Sequence, residues 1–123
     1  MLNVSLEPGR GTLDDLIADT RDGVYMATDK SWSIDDLRLD FQFSCEIGWE
    51  IKNGKRTRMV SDVTYNAITT DFWANLDAIG GPESWKMFGT GGDAKGQPTQ
   101  TNSISHGSPY IRIKKIMVGA AYA

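Results

Sequence analysis

The side chains able to do chemistry are few. His106 is the single histidine and Cys45 the single cysteine among 123 residues. One histidine excludes a two-histidine metal motif such as HExxH, and one cysteine excludes a disulfide framework or a multi-cysteine zinc knuckle. Asp14-Asp15 and Asp35-Asp36 are paired carboxylates by position. Adjacent residues on a helix point about 100° apart, so neither pair converges for acid–base work. Asp14-Asp15 instead suit a helix start, where the dipole favours negative charge. Gly89-Thr90-Gly91-Gly92 hints at a phosphate loop, but Lys95 is followed by Gly96, and the GxxxxGK[ST] pattern fails. Trp49 with Arg56 and Arg58 remains. Tryptophan and arginine are enriched at binding hot spots, so Trp49 and Arg58 are read as a peptide- or partner-binding surface. The other reading is a hairpin tip whose arginine stems cover apolar surface.

These residues need a frame. Leu37, Leu39, Phe41, Phe43, Cys45, Ile47, Trp49 and Ile51 hold every odd position, and the even positions between them are polar or glycine. That period of two predicts a half-buried antiparallel strand, with Cys45 as a small core hydrophobe. The run exceeds the usual ~5–6 residues, so a bend is expected near Ser44 or Gly48. Asn53-Gly54 predicts a type I′ hairpin turn. Pairing Lys52 with Lys55 then sets Ile51 opposite Arg56 and Trp49 opposite Arg58, with the Arg58 guanidinium over the indole. The returning strand should end near Tyr65.

Upstream, Asn3–Leu6 reads as a strand and Pro8-Gly9-Arg10-Gly11 as a loop. Thr12 should cap a short helix carrying Leu13, Leu16 and Ile17 on one face, ending at Asp22-Gly23. Val24–Ala27 reads as a strand. Downstream, a helix is expected over Asp71–Ile79, capped by Thr70 and stopped by Gly80-Gly81. Residues Gly89–Gly107 are rich in Gly, Ser, Thr and Asn without periodicity and predict a long loop, in which His106 makes an ordering hydrogen bond. Ile111, Ile113 and Lys115–Val118 predict one last strand. The reading is a single β-dominated α+β domain over residues 1–123, with an antiparallel sheet, a long hairpin and two short helices.

The net charge is −3, divided as −7 over residues 1–50 and +4 over residues 51–123. The bases are scattered, which argues against nucleic acid as a partner. No apolar run approaches the ~18–20 residues of a membrane span, and Glu7, Asp14 and Asp15 interrupt any signal-peptide pattern. A cytoplasmic location is expected. The charge division suits the packing of two halves or of two subunits.

Three segments stand in a telling order: NVSLEPGRGTLDDLIADTRDGVYM at 3–26, SWSIDDLRLDFQFSCEIGWEIKNGKR at 31–56, and AKGQPTQTNSISHGSPYIRIKKIMVG at 94–119. Together they resemble the C-terminal region of the TldD/PmbA metallopeptidase family, also known as modulators of DNA gyrase. The resemblance implies a two-subunit, zinc-dependent peptidase acting on unfolded peptides. It implies zinc held by an upstream HExxxH helix and by a cysteine in the closing loop. That loop usually reads Cys-Gly-Lys-Gly-Gln-Pro, and here it reads Asp93-Ala94-Lys95-Gly96-Gln97-Pro98. Asp93 therefore falls at the cysteine-ligand position. Either the carboxylate keeps the metal role, since Asp binds zinc at ~2.0–2.2 Å, or it marks an inactive partner subunit. Because HExxxH is absent from these residues, no catalytic residue is assigned, and the chain alone is expected to bind no zinc and to be inactive. The implied partner is another TldD/PmbA-type subunit or the upstream region, with a homo-oligomer as an alternative. A non-catalytic binding or assembly module is the competing function.

Overall fold

Two connections define the central sheet, and the computed structural model describes it within residues 2–122. Strand β1 (Asp22–Ile34), β2 (Asp40–Lys52) and β3 (Lys55–Ile68) run antiparallel in order, and β8 (Met117–Tyr122) adds the other edge beside β3. Asn53 and Gly54 join β2 to β3 with φ of 50° and 76°, the left-handed pair that a two-residue turn matching strand twist requires. Their amides donate to the Arg21 and Thr20 carbonyls at 2.6 and 2.8 Å.

The β1–β2 connection corrects the expected strand start at Leu37. One Asp35 carboxylate oxygen accepts from the Leu39 and Asp40 amides at 2.7 and 3.0 Å. An aspartate bonding its own downstream backbone makes a turn instead of a strand, and Leu37 and Leu39 are left exposed. β1 is correspondingly longer than Val24–Ala27. The bend expected near Ser44 or Gly48 falls on the neighbours of β2. Thr28 and Asp62, which flank Glu46 on either side by register, have φ of 61° and 49°, and β1 carries a register shift between Asp29 and Ser31. β2 itself runs unbroken.

Helix α1 (Leu13–Ala18) starts at Thr12 as expected. Thr12 Oγ1 accepts from the Asp15 amide while the Asp15 carboxylate accepts from the Thr12 amide, a reciprocal capping box. Helix α2 spans Thr69–Ala74 rather than Asp71–Ile79, and Ile68 stands at its N-cap where Thr70 was expected. It ends where Asn75 folds back on the Asp71 carbonyl. The following residues, Leu76–Ile79, form β4 paired with β7 (Ile111–Ile113). Inter-strand partners replaced the intrahelical ones, and four residues with three apolar side chains satisfy either pattern.

The long loop expected over Gly89–Gly107 is corrected too. After a 3-10 turn at Pro82–Ser84, β5 (Lys86–Lys95) and β6 (Gln100–Ser108) form a two-stranded arm. Asn3–Leu6, expected as a strand, has no strand assignment, but it lies along β6 through the Leu6 amide to the Gly107 carbonyl at 2.8 Å. The last strand is split, because Lys115 at φ 55° turns the chain from β7 into β8. Among the described residues, no helix is long and apolar enough to cross a membrane.

The core gathers Ile17, Cys45, Ile51, Val60 and the fully buried Val63. Phe41, Phe43, Tyr65 and Phe72 add an aromatic cluster with centroids 5.3–6.3 Å apart, which docks α2 on the sheet. The accessible surface is 8379 Å², against roughly 6,600 Å² for a compact monomer of this mass. The surplus includes large apolar side chains on the sheet and arm, among them Trp32, Met87 and Phe88, each 62% exposed.

Candidate functional site

Asp93 sits on the arm, at the point where β5 slips register against β6 between Thr90 and Asp93. Its carboxylate is 27% exposed and accepts from Arg38 at 3.2 Å. Arg38 lies in the β1–β2 connection at φ 59°. The same guanidinium donates to the Ala94 carbonyl at 2.9 Å and to the Asp35 carbonyl at 3.2 Å. The Thr69 hydroxyl donates to the Arg38 and Leu39 carbonyls at 2.5 and 3.0 Å. Arg38 is thus fixed at its backbone by α2, and its guanidinium bridges its own connection and the arm.

His106 does not meet Asp93. Asp93 pairs with Asn102 and His106 with Phe88, a separation along β6 of four residues, or about 13 Å. The His106 ring instead holds the N-terminal segment. Nδ1 lies 2.9 Å from the Val4 carbonyl and 3.2 Å from the Val4 amide, donating or accepting according to its tautomer. This is the ordering hydrogen bond expected of it. Among the described residues, no three His, Cys, Asp or Glu side chains come together in a group able to hold a metal ion. A zinc site needs about four ligands. The donors present do not fit one, since Asp93 stands alone and is already paired with a guanidinium.

Trp49 and Arg58 are separated by a bulge. Trp49 pairs with Met59 and Ile51 with Arg56, so Thr57 and Arg58 together oppose Glu50. Arg58 Nε donates to Glu50 at 2.7 Å. The guanidinium over the Trp49 ring is that of Arg56, 5.8 Å from its centroid and 5.9 Å from that of Tyr25. Tyr25 stacks on Trp49 at 5.3 Å, and Tyr110 meets Tyr25 edge-on at 6.1 Å. Burial and the adjacent Tyr110 hydroxyl push the Tyr25 phenol up to about 12, against an opposing pull from Arg56. The result is an aromatic platform under a cation, on the sheet face reached from β7. Burial, with a contribution from Asp29, raises the Cys45 thiol, which keeps the thiol protonated and unreactive.

Sequence reasoning missed Arg38, Tyr25 and Tyr110. Arg38 is 55 residues from Asp93, and no local pattern announces such a pair. Arg56 was in view, but a bulge shifts side chains by one position and passed the contact from Arg58 to Arg56.

Over residues 1–120 the sequence matches the family described as PmbA/TldA metallopeptidase C-terminal domain. A metalloprotease of Methanothermobacter thermautotrophicus is 30% identical over 119 residues, covering 97% of this chain and 25% of that protein. A metalloprotease of Archaeoglobus fulgidus is 28% identical over 120 residues, covering 98% of this chain and 27% of that protein. A zinc metalloprotease TldD homolog of Saccharolobus solfataricus is 24% identical over 119 residues, covering 97% of this chain and 26% of that protein. The chain spans about a quarter of the length of these relatives. It belongs to the PmbA/TldA metallopeptidase C-terminal domain family.

Proposed function

We propose that this chain is the C-terminal part of a TldD-like zinc metallopeptidase that processes unfolded peptides, and that it is catalytically silent alone. The family match over residues 1–120 supports the class. The observation that carries the silence is the donor set: one histidine in 123 residues, no converging group of metal-binding side chains among the described residues, and an Asp93 engaged by Arg38. The metal-binding machinery then comes from the upstream region or from another TldD/PmbA-type subunit. The surplus surface supports such a partner. It amounts to roughly 1,800 Å² above a compact monomer, more than the ~800 Å² that one partner contributes to a standard interface.

The test is cleavage of an unstructured, fluorogenic peptide by the pure chain with zinc added, beside calorimetric zinc titration of the parent and of Asp93→Ala. No cleavage and no binding tighter than ~1 µM is the expected outcome. Chelator-sensitive turnover by the pure chain sinks the proposal. The competing reading, an assembly module that never takes part in chemistry, draws support from the Arg38–Asp93 ion pair. It predicts that Asp93→Ala leaves the activity of a reconstituted two-component enzyme unchanged.

A further inference from the structure

We infer that Arg38 and Asp93 form a latch that holds the β5–β6 arm against the β1–β2 connection. The arm needs such a tether. β5 and β6 pack chiefly on each other, and both belong to a sheet of two strands; an isolated two-stranded ribbon is marginal in water. Its base is gripped firmly. Trp85 Nε1 donates to the Leu6 carbonyl at 3.0 Å, the Trp85 ring lies flush on the backbone of Gly107, and Ser5, Leu6 and His106 tie the N-terminal segment to β6.

Beyond that base, Arg38 joins the arm to the β1–β2 connection through Asp93 and the Ala94 carbonyl. Arg38 is built for the part. A non-glycine residue at φ 59° is held there against its preference, here by Thr69 on its carbonyl and by its own bond to the Asp35 carbonyl. A cation fixed in this way neutralises Asp93 and spans two elements, as a bound metal ion would, without any second protein ligand. The arm is therefore ordered by charge pairing from within the chain, and zinc is not required to position it.

Hydrogen–deuterium exchange on the full chain, read by peptide, tests this. Arg38→Met and Asp93→Asn should each speed exchange in residues 88–104 about five-fold, the scale of a partly exposed ion pair, while residues 40–68 stay protected. The double variant should exchange no faster than Arg38→Met, because that change alone already removes the contacts to both Asp93 and the Ala94 carbonyl. If either variant fails to fold, the parent decides: raising salt from 0.05 to 1 M, where the Debye length shrinks to ~3 Å, should selectively deprotect the arm. Unchanged arm exchange in the variants, additive increments in the double, or a salt-insensitive arm overturns the latch. So does zinc that protects the arm of the parent but not of Asp93→Asn, for Asp93 would then be a metal ligand.

Discussion

Replacing Gly107 with alanine tests whether the arm is seated as described. Gly107 does not have a positive φ, so its backbone accepts alanine, and a side chain there should stabilise by about 0.4–1 kcal/mol through the unfolded chain. The packing forbids it. An added Cβ would lie 1.9 Å from Cζ2 of the Trp85 ring and 2.5 and 2.6 Å from Cη2 and Cε2, and that ring cannot swing freely because Nε1 donates to the Leu6 carbonyl at 3.0 Å. Overpacking of this kind costs about 1–3 kcal/mol, and a broken indole hydrogen bond adds about 1 kcal/mol. Against the backbone gain, the net loss is about 2 kcal/mol, or a fall in Tm of about 8 °C for a chain of this length. Urea unfolding followed by tryptophan fluorescence, together with calorimetry, reads both. Trp85→Leu is the control, since removing the ring should let the same alanine become neutral or mildly stabilising. A loss under 0.5 kcal/mol, or an equal loss in the Trp85→Leu background, refutes the reasoning.

Three further outcomes are expected. Arg112→Met should cost about 2 kcal/mol in chemical denaturation, because this one guanidinium ties Asp77 of β4 to Asp19 and Thr20 at the end of α1; a cost below 0.5 kcal/mol would deny it that clamp. The Tyr65 phenol is pushed up to about 12 by burial first and by Cys45 and Asp29 after it, against ~10 when unfolded. Protonated Tyr65 therefore stabilises fully below pH 10, and about 2 kcal/mol is lost as the pH rises from 10 to 12. Tyr65→Phe should remove that share of the alkaline slope and leave the share due to Tyr25, and ordinary phenolate absorbance for every tyrosine near pH 10 in the folded chain would contradict it. Cys45 should resist a thiol reagent at pH 8 in the folded chain and react at once in 6 M guanidinium, as a buried thiol with a raised pKa must; fast labelling of the native chain would place it at the surface.

What the sequence determined by itself is local or strictly periodic. Thr12 with Asp15 specifies a helix start, because both capping bonds lie within three residues. Asn53-Gly54 specifies a hairpin, because the turn needs two left-handed residues and nothing distant. The alternation through Phe41–Ile51 specifies a half-buried strand, because side chains of a strand alternate faces whatever its neighbours are. The tertiary structure decided the rest. Leu76–Ile79 became a strand because β7 offered partners, and the Gly- and Ser-rich stretch from residue 89 became an arm because β5 and β6 satisfy each other's backbone and Trp85 grips its base. Arg56 rather than Arg58 lies over Trp49 because one bulged residue rotates every side chain beyond it. Asp93 met Arg38 across 55 residues, and a pairing at that separation is written in packing and not in spacing.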